Sequence, residues 1–372
     1  MILLVICGLL FLSYSLLVLL FWYRWKNITV YSGGSGLPHS KVSIIIPARN
    51  EEQNIGRLLN ALTRQDYPLD LYEIIVVDDH STDKTAKVVK DYPGVRLISL
   101  SDTETSNSYK KKAIETGIDA AAGELIVTTD ADCIPPPGWL KYITGFAEEK
   151  KSVFVAAPVL MKHKASLLQI FQTMDFMVLQ GITGAAVHNK KLSMCNGANI
   201  AYTKEAFKKV NGFTGIDDIA SGDDMLLMYK IWNQYPYGVH YLKAQEAIVS
   251  TLPQTTWKDF FNQRIRWASK AGKYQDKRLF PVLLLVYLFN LVFPVLFIAA
   301  CISPCYWKWL LILWAGKTLV ELPLFTSAAV FFRQQSTIKW FFFFQPLHIL
   351  YTVISGFFGQ MGKYEWKGRK VK

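Results

Sequence analysis

Four clusters of chemically active side chains follow one another along the chain: residues 76–83 (VVDDHSTD), 128–133 (TTDADC), 213–224 (FTGIDDIASGDD) and 263–267 (QRIRW). Asp130 and Asp132, one residue apart behind an apolar run, can hold Mg²⁺ or Mn²⁺ together with diphosphate oxygens, because hard cations take oxygen ligands. Asp78 and Asp79 fit a turn that accepts hydrogen bonds from a base or ribose, and the Ser81 and Asp83 beyond them serve equally well as helix caps. Asp223 and Asp224 open a predicted helix. A carboxylate there is either a cap interacting with the helix dipole or a general base for an acceptor hydroxyl, a poor nucleophile until its proton is removed. Asp224 is the expected base, with Asp223 as helper or cap. Gln263, Arg264, Arg266 and Trp267 are read together as facing acceptor and diphosphate. Arg266 can neutralise a departing diphosphate, and Trp267 can stack on a sugar or pack on a neighbouring helix. An interfacial Trp/Arg anchor is the competing reading.

Short β-branched runs alternate with helical patterns through the first half of the middle region. Strands are expected over 42–48, 72–79, 95–100 and 124–130, and helices over 51–64, 82–91 and 108–122. Nearly continuous apolar strands separated by helices imply a parallel, Rossmann-like sheet covered on both faces. Ligands gather at the carboxyl ends of such strands, which is where both acidic pairs stand. The first strand is followed by PARNEE (47–52) rather than a Gly-x-Gly-x-x-Gly turn, which disfavours a dinucleotide cofactor. Further on, a strand is expected over 153–159, a helix around 166–180, a glycine-containing loop at 195–199 and a helix from near Asp223. Residues 257–270 interleave Trp257, Phe260, Phe261 and Trp267 with Lys258, Arg264, Arg266 and Lys270, suiting a helix in a membrane interface.

Residues 2–22 carry no charge, and about 20 apolar residues is what a bilayer core requires of a helix. The stretch lacks the basic start and small-residue cleavage site of a secretory signal. Arg24 and Lys26 follow it directly, so the positive-inside rule puts the residues beyond in the cytoplasm. Three more apolar stretches cover roughly 279–302, 309–332 and 340–361. The second carries Lys317, Glu321 and Pro323, and the third Pro346 and His348. Three crossings from a cytoplasmic start would leave the tail outside, yet the tail holds Lys363, Lys367, Arg369, Lys370 and Lys372. One of the three segments is therefore expected to lie in the interface or re-enter. The division reads as 1–26, an N-terminal transmembrane helix; 27–254, a cytosolic domain; 255–278, an interfacial segment; and 279–372, a membrane region with two or three spans. The net charge of +12 suits contact with membrane lipids; no nucleic-acid motif accompanies it. Five cysteines show no metal-ligand spacing, and no disulfide is expected in a cytosolic domain.

Taken as an ordered set, SIIIPARNEE, VVDDHSTD, a lysine ahead of Ala-Ile-x-x-Gly, DAD, GDD and QRIRW resemble the family 2 glycosyltransferases over about residues 40–270. The resemblance implies a GT-A fold, α/β with a Rossmann-like mixed sheet flanked by helices. It also implies a nucleotide-sugar donor, taken as a UDP-sugar, a Mg²⁺ or Mn²⁺ ion and inversion at the anomeric carbon. By position, Pro47, Arg49 and Glu51 look like the loop beside the nucleotide, and Asp79, with Asp78, like the acid contacting base or ribose. Lys110 looks like the lysine that approaches the donor, although Tyr109 and Glu115 depart from the family's pattern around it. Asp130 is implied to touch the sugar nucleotide, Asp132 the metal, and Asp224 the acceptor, while Gln263, Arg266 and Trp267 match a Q-x-x-R-W motif. The expected activity is single-sugar transfer to a membrane-associated, lipid-linked or glycan acceptor at the plasma membrane. A processive polysaccharide synthase of the cellulose, hyaluronan or chitin type is the alternative, and a cation-binding transporter or scaffold a further one. Which sugar is transferred is not legible from these motifs.

Overall fold

The computed structural model describes residues 2–34, 36, 38–101, 108–164, 166–217, 222–270, 272, 274–361, 364–366 and 369–371, the last two stretches as backbone only. Residues 218–221 of the third acidic cluster, and Lys363, Lys367 and Lys372 of the tail, lie outside the described residues. The chain folds into two compact units, one of residues 28–162 and 187–252, the other of residues 1–27, 163–186 and 253–372.

The helical unit begins with α1 (Ile2–Lys26). In the sheet unit, β1 (Val42–Ala48), α2 (Ile55–Leu62), β2 (Tyr72–Asp78), α3 (Thr85–Lys90), β3 (Val95–Ser99), α4 (Tyr109–Ala120) and β4 (Leu125–Thr128) follow in the expected alternation. Next come α5 (Trp139–Lys150), β5 (Phe154–Ala156) and β6 (Val159–Met161), then, beyond α6 (Leu167–His188), β7 (Ile200–Thr203), α7 (Lys204–Lys209), α8 (Met225–Gln234), β8 (Val239–Tyr241) and β9 (Val249–Thr251). Seven strands form one sheet in the order β3-β2-β1-β4-β7-β5-β8. The first four are parallel, whereas β7 runs antiparallel to both β4 and β5, so the sheet is mixed. Ile44, Ile45, Ile46 and Val76 have no exposed surface, the burial that a sheet covered on both faces demands of its central strands.

The single strand expected over 153–159 is two. Pro158 lacks an N–H for the ladder, so β5 stays in the main sheet while β6 pairs with β9 in a separate two-stranded sheet. The Pro158 carbonyl instead accepts from Val249 N at 3.1 Å and Asn199 Nδ2 at 2.7 Å. Helix α4 lies close on β1 because Gly117 has no side chain: a Cβ there would stand 2.5 Å from Ile45 Cγ2. That approach brings the start of α4 to the carboxyl edge of the sheet.

In the helical unit, α9 (Trp257–Ala268) precedes α10 (Leu279–Ile302), α11 (Tyr306–Phe331) and α12 (Phe341–Gly359), and a short hairpin of β10 (Tyr364–Trp366) and β11 (Arg369–Val371) follows. Thr256 caps α9 by accepting from Asp259 N at 3.1 Å. Four helical stretches, Ile2–Lys26, Leu279–Ile302, Tyr306–Phe331 and Gln335–Gly359, are long and apolar enough to cross a membrane. The two charges in the middle of α11 are paired: Lys317 Nζ lies 2.7 Å from Glu321 and donates to Gln345 Oε1 at 2.7 Å, and Tyr14 donates to Glu321.

Candidate active site

Strands β2 and β4 flank β1 on opposite sides, with Asp78 opposite Ala48 and Thr128 opposite Ile45. Two strand spacings separate them, about 10 Å, so the acidic residues just past each strand reach the same edge. Asp79 is 3% exposed. Its N–H donates to Ala48 O at 2.8 Å, and its carboxylate lies 2.9 Å from His80 Nδ1 and 3.8 Å from Arg49, which also donates to the Asp79 carbonyl at 2.7 Å. Asp78 is buried as well, with an Oδ1 that has no hydrogen-bond partner among the described residues.

The loop after β1 is stitched to the loop after β2. Pro47 sits within β1 opposite Val77, and beyond it Asn50 N donates to Ser81, Glu51 N to Thr85 and Glu52 N to Asp83. Asp83 also accepts from Thr85, and although burial pushes its carboxyl up, these hydrogen bonds outweigh it and hold the group below the usual carboxylate range. The Glu51 carboxylate accepts from Asn54 Nδ2 at 2.7 Å. Asn50 and His80 both adopt positive φ, 51° and 54°, the strained bends that such a double loop requires.

The second cluster centres on Lys110 at the start of α4. Its ammonium bridges Asp130 at 2.8 Å and Asp223 at 3.0 Å. Burial alone would lower its pKa, but Asp130, Asp223 and then Asp224 carry it well above the ordinary lysine value. Asp224 is held by two backbone N–H groups, Gly197 N at 3.0 Å and Met225 N at 2.7 Å, so it caps α8 while lying beside Asp223. The cap reading and the site reading are thus compatible. Gly197 lies tightly against this pair: a Cβ there would stand 3.1 Å from Asp223 Oδ2. The His80 and Tyr109 rings, centroids 6.3 Å apart, join the first cluster to the second. Asp79, Lys110, Asp130, Asp223 and Asp224 therefore form one connected patch at the carboxyl edge.

Asp130, Asp132 and Cys133 place ligand atoms within 4.8 Å of one another. Cys133 is buried, and burial, then Asp132 and Asp130, push its thiol well up, so it stays neutral. Two carboxylates beside a protonated thiol offer hard oxygen donors, the set that Mg²⁺ or Mn²⁺ takes alongside phosphate oxygens. The residues present fit such an ion.

The QRIRW residues belong to the helical unit. The sequence groups Arg264 with its neighbours toward acceptor and diphosphate, but its side chain is 3% exposed and paired at 2.8 Å with Asp175 of α6, itself 3% exposed. Its guanidinium also lies 4.3 Å from the Trp267 ring centroid, and Tyr351 donates to Asp175. Its charge is countered inside the unit by Asp175, as burial of a guanidinium requires, while its nitrogens have no hydrogen-bond partner among the described residues. Gln263, Arg266 and Trp267 are half-buried, and Trp267 meets Phe176 with centroids 5.9 Å apart. Sequence reasoning passed over His80, Gly197 and Asp175. The last had a signal, as the sole acid in the 22-residue α6.

Residues 43–210 match the family described as Glycosyl transferase family 2. The match takes in the two acidic strand ends and Lys110 and stops short of Asp223, Asp224 and QRIRW. The chain is similar to "Probable glycosyltransferase YdaM" of Bacillus subtilis (strain 168), 31% identical over 234 residues, 61% of this chain and 54% of that protein. It is also similar to "Glycosyltransferase AglE" of Haloferax volcanii, 38% identical over 102 residues, 27% of this chain and 33% of that one. The chain thus spans about half, or less, of the curated relatives it matches. Among solved structures, "Mannosyltransferase PcManGT from Pyrobaculum calidifontis in complex with GDP-Man and Mn2+" superposes with a TM-score of 0.58 over 95% of this chain and 96% of that one, at 20% identity. The two share a fold.

Proposed function

We propose that this protein is an inverting glycosyltransferase that moves a sugar from a nucleotide-sugar donor to a membrane-associated, lipid-linked acceptor. The observation that carries the reading is the Lys110 bridge. One ammonium gathers Asp130 and Asp223 from distant stretches, with Asp224 beside them, at the strand ends where donors bind.

In this reading Asp79, with Asp78, Arg49, Pro47 and Glu51 around it, receives the base and ribose. Asp130 and Asp132 would hold the divalent cation, which when bound supplies charge neutralisation at the diphosphate. Asp224, its carboxylate oriented by Gly197 and Met225, takes the proton from the acceptor hydroxyl as that oxygen attacks the anomeric carbon. The C–O bond to the diphosphate breaks on the opposite face, so one displacement inverts the configuration. Asp223 and Lys110 fix the position of the base. The apolar helices support a membrane location, and Arg24 and Lys26 support a cytoplasmic face for the catalytic domain.

The test is a panel of nucleotide sugars offered to detergent-purified protein with membrane lipid extract, scored by released UDP or GDP. Donor-specific release that requires Mn²⁺ or Mg²⁺ and falls away in Asp224→Asn is the expected result; no release from any donor would refute the proposal. The QRIRW motif favours a second reading, a processive synthase, and long polymer formed from one binding event would select it.

A further inference from the structure

α1 and α11 run side by side in the same direction: Phe11 packs on Gly316, Tyr14 reaches Glu321 and Trp25 meets Phe331 with centroids 5.2 Å apart. α10 and α11 form an antiparallel hairpin, closed at its far end where Phe297 meets Trp307. The start of α10 and the ends of α1 and α11 therefore lie on one face, marked by Arg24 and Lys26.

The chain after α11 leaves and returns on that same face. Phe341 stacks on Phe325, six residues before the end of α11 and so about 9 Å inside it. Phe342 touches Trp314, and Gln345 meets Glu321 and Lys317, about 15 and 21 Å from that end. From there α12 climbs back. Tyr351 packs on Phe260 and pairs with Asp175, Gly356 lies against Tyr287, about 12 Å inside the start of α10, and Gly359 lies against Ala268, ahead of α10 altogether. α12 consequently runs parallel to α9, whose first turn carries Lys258 and Asp259. The chain from the end of α11 to the end of α12 thus starts and finishes on one face, whereas a crossing would finish on the opposite one.

We infer that α12 belongs to a re-entrant segment whose exposed face, Phe343, Leu350, Phe357 and Phe358, meets acyl chains, so that the chain crosses three times and the basic tail returns to the face of Arg24 and Lys26. The occupant of that face is lipid, because it is apolar and exposed in the same way as the outer faces of α10 and α11, which carry Leu284, Phe297, Leu311 and Leu319. Its opposite face carries Gln345, His348 and Tyr351, which meet Lys317, Glu321 and Asp175 inside the protein, the condition under which polar groups persist at membrane depth. The arrangement also reconciles the tail's charge with the positive-inside rule.

The inference rests on the membrane reading and not on any transfer activity. In cells and in inverted vesicles, a membrane-impermeant maleimide is applied to full-length single-cysteine variants retaining Cys305, which is exposed at the α10–α11 turn, or carrying Lys26→Cys or Lys372→Cys with the native cysteines replaced by serine. Lys26→Cys and Lys372→Cys should label together in one vesicle orientation, with loss of labelling in the other, and Cys305 should do the reverse. Lys372→Cys labelling with Cys305 would overturn the inference and leave the membrane reading standing. Extraction of the whole protein by alkaline carbonate would overturn both. Should a cysteine variant misfold, protease protection of a C-terminal epitope on the otherwise unaltered chain reads the same topology, cleavage on the Cys305 side refuting it.

Discussion

Lys110 competes with any cation for Asp130, which gives its removal an unusual signature. The ammonium lies 2.8 Å from Asp130 Oδ1. A divalent ion held by that same oxygen stands about 2.2 Å from it, so the two positive centres are then at most about 5 Å apart. Repulsion between charges of +1 and +2 at that distance is about 1.7 kcal/mol even with the dielectric constant of water, and larger in a partly enclosed site. Since about 1.4 kcal/mol is a factor of ten, Lys110→Met should tighten Mn²⁺ binding by roughly tenfold or more while sugar transfer falls. The measurement is a Mn²⁺ titration of full-length protein in detergent, without nucleotide, followed by the electron paramagnetic resonance of free Mn²⁺. Burial would lower the Lys110 pKa, but Asp130 and Asp223 raise it above the ordinary value. The stabilisation it contributes is then fully present below about pH 10.4, its unfolded value, and is lost only as pH rises through the higher folded one. The difference between the two proteins should accordingly be flat from neutral to moderately alkaline pH. Unchanged or weaker Mn²⁺ binding in Lys110→Met would refute the reasoning, and with it the reading of Asp130 and Asp132 as cation ligands.

Asp224→Asn keeps the cap on α8 but removes the proton acceptor, so steady-state kinetics should show a turnover loss of about 10²- to 10⁴-fold with little change in donor KM. Gly197→Ala inserts a methyl 3.1 Å from Asp223 Oδ2 and 3.4 Å from Asp224 Cβ; turnover should drop while the melting temperature stays near that of the parent, and full activity would show that the pair tolerates displacement. Asp132→Ala should abolish the dependence of transfer on added Mn²⁺ by removing the activity that needs it, checked by titrating the metal at saturating donor. Burial pulls the Lys243 pKa down to about 8, so the folded protein binds fewer protons than the unfolded one above that pH, and stability should rise from about pH 8 to about 10.4. Melting curves of Lys243→Met should lose that rise.

The local chemistry was legible because it is written in short contiguous patterns. β1, β2 and β4 are nearly pure apolar runs, and acids placed directly after them must emerge at one sheet edge whatever the rest of the chain does. Asp78, Asp79, Asp130 and Asp132 could be placed in this way. Gly197, by contrast, matters only through a 3.1 Å approach to a residue 26 positions away, and Asp175 only through Arg264, 89 positions away. No window of sequence contains those distances. The break of the 153–159 run had a local cause in Pro158, but that β6 would find β9 is a matter of long-range pairing.

Sequence by itself determined the parallel core, the acidic strand ends and the hydrophobic helices, since each depends on side-chain polarity at fixed backbone spacing. Tertiary structure alone decided that Lys110 bridges Asp130 and Asp223, that Arg264 turns inward to Asp175, and that α12 comes back to the face it left. Those outcomes depend on which buried charges find partners at a few ångströms, and composition, length and hydropathy are the same whether they do or not.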